Sequence, residues 1–353
     1  MGGQDLSRML QEQVRAAIDA RRPLNIVGGN TKAFYGRAPQ GEPIEVAKHS
    51  GIVSYEPTEL VITARAGTPL QEIEQSLAAE HQMLPFEPPH FGGSASLGGT
   101  IACNLSGPRR PHAGAARDLV LGTRLLNGRG EVLRFGGEVM KNVAGYDVSR
   151  LMAGALGTLG ILLAVSVKVL PRPETEITLL QETEPEQALE RLHAWAREPL
   201  PISGSCYRDG VLSVRLSGTG GAVSEARDRI GGDEDAEGES FWQAVKEQQL
   251  PFFGLPGPLW RLSIASDAPP MALPGDWLYE WGGALRWLKS EAPAGAIRAA
   301  AEAAGGHATL FRGGDRDRAF HPLSTGLLRL HRNLKQAFDP HGIFNPGRMY
   351  AEL

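Results

Sequence analysis

The sequence predicts an α+β protein of two domains, and three observations carry that expectation. The chain has 353 residues, a length that suits two hydrophobic cores better than one. Glycine and proline contribute 44 and 25 residues, about one position in five against an average near 12%, so turns are frequent and long helices few. Strand-like alternation is interleaved with helical spacing along the chain, and the composition changes after the proline pair Pro171 and Pro173. With 42% apolar and 22% charged residues there is enough material for real cores, which sets disorder and coiled coil aside.

Taken in order, apolar positions recur at helical spacing over 6–20, and PLNIV at 23–27 reads as a short buried strand running into the glycine loop GGNTKAFYG. A strand follows at 61–66, then a helix at 69–80 with Thr68 as N-cap, then a glycine-rich stretch at 91–107. Residues 118–136 read as two strands joined at Asn127 and Gly128. Residues 141–173 give a short helix, a glycine turn and a β-branched strand closed by the proline pair, where a domain boundary is expected. Beyond it come a helix at 184–198, a hairpin at 205–218, helices near 222–230 and 241–249, and a strand at 259–265. Residues 276–288 place Trp277, Tyr279 and Trp281 on one strand face, read as core, with Gly282 and Gly283 as the turn. A helix at 294–306, a strand at 307–312 and a final helix at 323–338 complete the chain before DPHGIFNPGRMY.

The formal charge is −4, which offers no global attraction to nucleic acid or anionic lipid, so any anion site is local. The most apolar uncharged run, 151–167, is shorter than the roughly 20 residues a bilayer requires and is broken by Gly154, Gly157 and Gly160. No transmembrane segment is expected. The first twenty residues lack the apolar centre of a secretory signal, and a cytoplasmic location is the expectation. Cys103 and Cys206 alone can form neither a Cys-rich zinc site nor an iron-sulfur cluster, so one-electron chemistry beyond an organic cofactor belongs on another chain.

Three glycine-rich loops stand out, at 28–36, 92–107 and 154–160, and glycine lets backbone N–H groups crowd around a phosphate. One such loop is ordinarily only a turn; three together favour a ligand. The first follows a strand, carries Thr31 as a hydroxyl donor and Lys32 as a point charge, and lies in a window (23–41) without a carboxylate. The window 88–117 is likewise free of acid and holds Arg109, Arg110 and Arg117. Neither GxxxxGK[ST] nor a GxGxxG after a strand occurs, which argues for a diphosphate held by a fold other than a P-loop or Rossmann site.

GGNTKAFYG, SASLGGTIACNLSGPRR, RDLVLGTRLLNGRGEVLRFGG, KNVAGYDVSRLMAGALGTLGI and FDPHGIFNPGR, in this order, resemble the flavoenzymes with a PCMH-type FAD domain, the vanillyl-alcohol oxidase superfamily. Within it they are most similar to the E-type FAD-binding subunits of glycolate oxidase. The resemblance implies a two-lobed FAD-binding domain at 1–173, a smaller antiparallel-sheet and helix cap domain at 174–322, and a tail at 323–353 that packs back on the FAD domain. It further implies that Gly28, Gly29, Asn30, Thr31, Lys32 and Gly36 surround the FAD pyrophosphate. Ser96, Gly98, Gly99, Thr100, Asn104 and Gly107 would line the diphosphate and flavin, with Gly157, Gly160 and Ile161 near the adenosine half. Lys141, Gly145, Tyr146 and Asp147 would sit against the cofactor, and Asn345 would return to the flavin domain from the C-terminus. Some relatives attach flavin through a His in the first loop; Asn30 and Thr31 cannot make that bond, so dissociable FAD is expected.

The catalytic 2-hydroxy-acid dehydrogenases that the chain resembles carry motifs like GHxGDGNLH and EHGIG, which supply His and Glu ligands for a divalent metal and a base. Neither is present, and no metal site is expected. The nearest counterpart is GGHATLFRGG, which leaves His307, with Arg312 as a partner for a carboxylate and His90 as a third candidate. A lone histidine is more often structural, and His321, His331 and His341 are read the same way. The resemblance therefore implies an FAD-bearing subunit that oxidises glycolate, a small 2-hydroxy acid, together with a catalytic D-type flavin subunit and an iron-sulfur subunit. Peripheral attachment to the inner membrane would come through that complex. The alternatives are a self-sufficient 2-hydroxy-acid dehydrogenase and a non-catalytic scaffold.

Overall fold

The structure, a computed structural model, describes residues 3–137 and 147–353. It divides into two compact units, one of residues 1–105, 115–171 and 322–353, the other of 106–114 and 172–321. It is a mixed α and β fold, and among the described residues no helix is long and apolar enough to cross a membrane.

In the first unit the helix Ser7–Asp19 buries Leu10, Val14 and Ala17, the 3–4 spacing that puts them on one face. The strand Leu24–Val27 pairs in parallel with Glu42–Glu45, and Leu24 also bridges Phe344, so the C-terminal segment extends this small sheet. A five-stranded antiparallel sheet runs in the order Ile52–Glu56, Val61–Arg65, Ile161–Lys168, Val120–Leu126, Val132–Gly136. Its inner face, including Ala64, Val165 and Leu125, joins Leu70, Ile73 and Leu77 of the helix Leu70–Ala79 in one core. The expected N-cap fails there. Pro69 takes the cap position, and the Thr68 hydroxyl instead accepts from the Gly51 N–H at 2.9 Å. The expected turn at Asn127 spans 127–131, with the Asn127 side-chain oxygen accepting from the Arg129 and Glu131 N–H groups.

The tail helix, Thr325–Phe338, has no fully buried residue but packs Leu334 and Phe338 on this core, with the Phe338 ring edge-on to Phe135 at 6.4 Å. Lys335 fixes its end by donating to the Thr158 and Phe344 carbonyls at 2.8 and 2.6 Å. Asp339, buried, accepts from the Ile343 and Phe344 N–H groups, which orients the segment that follows.

The second unit is built on an eight-stranded sheet in the order Asp233–Glu234, Thr175–Glu182, Val211–Gly218, Ile202–Arg208, Asp276–Glu280, Leu285–Lys289, Leu259–Ser263, His307–Arg312. Every adjacent pair is antiparallel. Alternation gives one apolar face, where Val214, Leu216, Leu262 and Leu288 meet the helices Pro185–Trp195, Gly220–Ile230 and Ala294–Ala303. Arg215, Arg261 and Glu280 alternate onto the other face. The hairpin at Asp209 and Gly210 has positive φ at both residues, 51° and 81°, as a tight antiparallel turn demands. Trp281 departs from expectation. Its φ of 56° ends the strand at Glu280, so it does not share the core face of Trp277 and Tyr279.

Candidate functional site

The strand Leu24–Val27 is held firmly before the first glycine loop begins. Besides its parallel partner, the Leu24 N–H donates to the Ile343 carbonyl at 2.6 Å, and the Asn345 N–H donates to the Leu24 carbonyl at 2.9 Å. The chain then passes so close to residues 94–96 that a Cβ on Gly29 would lie 1.5 Å from the Ser94 carbonyl oxygen. Only glycine permits that approach. Asn30 follows in the left-handed region, φ 58°, and the buried Lys32 amine donates to the His90 carbonyl at 3.3 Å.

Asn345 ties this strand to the third glycine loop. Its side-chain oxygen accepts from the Ile26 N–H at 2.7 Å and its amide donates to the Leu156 carbonyl at 2.6 Å, with the residue 5% exposed. Gly157, at φ 72°, lies so near that a Cβ there would stand 2.7 Å from the Asn345 amide nitrogen. The NPGR segment thus acts as a clasp between two loops that are 130 residues apart in sequence.

Between these elements lies a cleft with two contiguous halves. One is polar, lined by Gly28 to Lys32 together with Arg348 and Cys103. The other is apolar, lined by Val46, Ala66, Met152, Leu159 and Ile161, with Gly98, Gly157 and Gly160. Ile26, Gly28, Ser96, Gly99, Leu156 and Asn345 border both halves, and no carboxylate lines either. Lys32 and Arg348 are the cations of the lining. Arg348 is oriented by donating to the Ala33 carbonyl at 3.2 Å and to the Arg37 carbonyl. The Cys103 thiol is pushed up by burial, with Lys32 and Arg348 opposing that rise, so it is a neutral wall group. An acid-free groove with cations and exposed backbone at one end and an apolar slot at the other fits a dinucleotide: the diphosphate takes the first and a flat ring the second.

The cleft gathers Gly28, Gly29, Asn30, Thr31, Lys32, Ser96, Gly98, Gly99, Gly157, Gly160, Ile161 and Asn345. Other expected residues do not line it. Gly36 turns the loop at φ 81°, Thr100 is fully buried, and Asn104 ends the helix Leu97–Cys103 in the left-handed region while accepting from the Arg117 N–H. Asp147 caps the Arg150 N–H of a short helix at 3.0 Å. Gly107 belongs to the second unit, where its carbonyl accepts from the Trp281 indole N–H at 3.0 Å. Lys141, Gly145 and Tyr146 lie outside the described residues. Arg348 was not singled out in the sequence, although it is the arginine of the NPGR segment that was, whereas Ile26, Met152 and Leu156 carry no sequence signal that separates them from core.

The catalytic candidates belong to both units: His90 to the first, His307 and Arg312 to the second, where they stand at opposite ends of one strand. The His90 ring bonds the Glu74 carboxylate at 3.1 Å within the first unit. His307 is exposed at the start of the strand His307–Arg312, opposite Ser263, and its ring centroid is 6.4 Å from that of His321. His321 in turn bonds Glu302 at 2.8 Å. Arg312, at the far end of the same strand, is pushed down to about 10 by burial. Among the described residues no three His, Cys, Asp or Glu side chains gather as metal ligands.

A polar cluster of the second unit surrounds Glu176. It accepts from Arg109 and the Ser217 hydroxyl, each at 2.5 Å, and lies 3.8 Å from Arg215. Burial raises the Glu176 pKa, but Arg215 and Arg109 outweigh it and hold the carboxyl below its ordinary value. Arg110 and Arg261 stack on Trp281 at 4.4 and 5.1 Å, which occupies the indole that leaves the core face.

Comparisons with known proteins give the chain's family. Residues 7–136 match the FAD binding domain family, and residues 321–349 match the C-terminal domain of FAD linked oxidases. The D subunit of glycolate oxidase from Bacillus subtilis, GlcD, is 33% identical over 162 residues, 45% of this chain and 34% of that protein. The solved structure of alkyldihydroxyacetonephosphate synthase shares the fold at a TM-score of 0.65 and 15% identity, covering 96% of this chain and 74% of that one. Glycolate oxidase subunit GlcE of Escherichia coli is 57% identical over 349 residues, 99% of both chains. The glycine loops, the clasp and this end-to-end identity together place the chain in the family of the glycolate oxidase E subunit, an FAD-binding flavoprotein family.

Proposed function

We propose that the chain is the FAD-binding E-type subunit of a glycolate oxidase complex, which oxidises a small 2-hydroxy acid to the 2-oxo acid. The observation that carries this reading is the 57% identity to a glycolate oxidase subunit over 99% of the chain. The cleft supports it from the structure, because its polar and apolar halves match the two ends of FAD. When bound, FAD supplies the acceptor for the two electrons and the hydrogen lost from the α-carbon of the hydroxy acid. Lys32 and Arg348 balance the diphosphate, the 28–32 loop gives it backbone N–H groups, and Gly98, Gly99 and Gly157 leave room where side chains would intrude. Val46, Met152, Leu159 and Ile161 keep water from the ring. Asn345 holds the two loops at fixed spacing, so the groove is formed before the cofactor enters.

Within the complex, the base and substrate ligands are supplied by a D-type flavin subunit, and the electrons pass to an iron-sulfur subunit. The absence of the GHxGDGNLH and EHGIG motifs favours this division of labour, as does the count of two cysteines in the chain. Association with the inner membrane would then come through partner chains. Reconstitution tests the reading. Omitting this chain from purified D-type and iron-sulfur subunits should abolish glycolate turnover with an artificial acceptor, and adding it back should restore turnover. Full turnover without it would overturn the proposal.

A further inference from the structure

The tail helix Thr325–Phe338 uses its apolar side unevenly. Leu327, Leu330, Leu334 and Phe338 follow one another at spacings of three and four and form one stripe along it. Leu334 and Phe338, in the C-terminal half, pack on the core of the first unit, and Lys335 fixes that end through the Thr158 and Phe344 carbonyls. Leu327 and Leu330, in the N-terminal half, continue the same stripe but are 49% and 52% exposed. The other large apolar side chains exposed among the described residues are Met9, Val53 and Leu255, each in a different part of the chain. A single exposed apolar residue is ordinary; two in succession on one stripe form a face without cover.

The charge of this segment points the same way. No Asp or Glu occurs over 318–338, where the chain's frequency of 40 in 353 would place about two. The helix carries Arg329, Arg332 and Lys335, a local charge opposite in sign to the −4 of the whole chain. Lys335 bonds Asp339 at 2.7 Å, while Arg329 and Arg332 are exposed. Successive residues turn by about 100° round a helix, so Arg329 stands at the rim of the open leucines and Arg332 on the side away from them. The Ser324 hydroxyl caps the first turn by accepting from the Leu327 N–H at 3.4 Å, so the face is formed before anything binds. A bilayer is the poorer match. A helix lying in the lipid interface buries its whole apolar stripe, and here Leu334 and Phe338 already pack on the protein's own core.

On the reading of the chain as one subunit of a complex, on which this step rests, we propose that the N-terminal half of the tail helix is a docking face for a partner subunit. The partner surface that fits it has an apolar centre to cover Leu327 and Leu330 and a carboxylate at its edge to meet Arg329. Apolar side chains at the centre with charge at the rim are the usual layout of a protein contact: taking the leucines out of water holds the pair together, and the arginines speed and orient the encounter. Two leucines make a small contact, so this face is one part of a larger interface.

Binding of the FAD-loaded full chain to the purified D-type subunit, to the iron-sulfur subunit and to both together, at low and high salt, tests it. The wild-type chain should bind saturably in at least one of these mixtures. Leu327→Asp combined with Leu330→Asp should weaken that binding about tenfold or more, with flavin content and melting temperature unchanged. Arg329→Glu should slow association several-fold at low salt and little at high salt, and Arg332→Glu should slow it less. Where the double aspartate variant loses flavin, Leu327→Ala combined with Leu330→Ala decides the matter, with a loss of several-fold expected. Wild-type affinity in the double variant overturns the docking face and leaves the complex itself standing, whereas no binding by the wild-type chain overturns both. Leucines that instead govern binding to phosphatidylglycerol vesicles, or pairing of two copies of this chain, with subunit binding untouched, would also overturn it.

Discussion

The glycine-lined cleft of the first unit and the sheet face of the second that carries Arg215 and Glu280 are both rich in polar groups, yet they differ in kind. In the cleft the polar groups line one groove, with Lys32 and Arg348 oriented by backbone carbonyls. Backbone is bare at the glycines, two cations face the same groove, and the lining holds no acid. On the sheet face the cations are already committed: Arg109 and Arg215 to Glu176, Arg110 and Arg261 to Trp281. The difference is one of partner: backbone carbonyls hold the cations of the cleft, whereas a carboxylate and an indole hold those of the sheet face. It also explains why the chain reads as a cofactor carrier more clearly than as a complete catalyst.

The largest expected effect breaks the cleft itself. Gly99 borders both halves, and a Cβ there meets only the Ser96 hydroxyl at 3.3 Å, so Gly99→Leu should fold and yet fill the groove. Flavin content, read from the absorbance of the purified variant, should fall more than about tenfold. Full flavin retention would mean the cofactor lies elsewhere. Next comes the clasp. Asn345→Ala leaves the Ile26 N–H and the Leu156 carbonyl without their partners, at a cost of about 2–4 kcal/mol in urea denaturation, with weaker FAD retention in consequence. Lys32→Gln should reduce FAD affinity about tenfold and lessen its salt dependence, measured by fluorescence titration of the apoprotein.

Two smaller effects sharpen the contrast. Burial holds the His49 imidazole below its ordinary value of 6.5, so the unfolded chain takes up a proton that the folded chain refuses. Stability is complete above about pH 6.5 and declines as the pH falls from there through the folded value. In His49→Gln, denaturation midpoints should show a flatter profile over that window. His307→Ala should be nearly silent, within about 0.5 kcal/mol in stability and with flavin content unchanged, because the residue is exposed at the start of its strand. A selective loss of glycolate turnover in that variant would restore the second unit as a catalytic centre.

Much of the cleft lining proposed to hold the cofactor was legible in the sequence because glycine marks close backbone approach. GGNTK after a buried strand and the acid-free windows identify backbone that must approach something closely. What the sequence does not mark is which face a residue turns to. Asn104 and Thr100 lie within the same motif as Ser96 and Gly99, yet one serves as a helix cap and the other is buried. Gly107 is three residues past Asn104 and belongs to the other unit, a transfer that no local pattern announces. Trp281 continued a perfect alternation, but the two glycines after it allowed a left-handed turn one residue early.

The central claim is that this chain holds FAD but depends on partners for chemistry on the hydroxy acid. The most direct measurement is the visible absorption spectrum of the chain purified alone, before and after glycolate is added without oxygen. The account predicts flavin bands that persist unchanged after glycolate and bleach with a chemical reductant. Bleaching by glycolate alone, or a colourless protein that takes up no FAD, would contradict it.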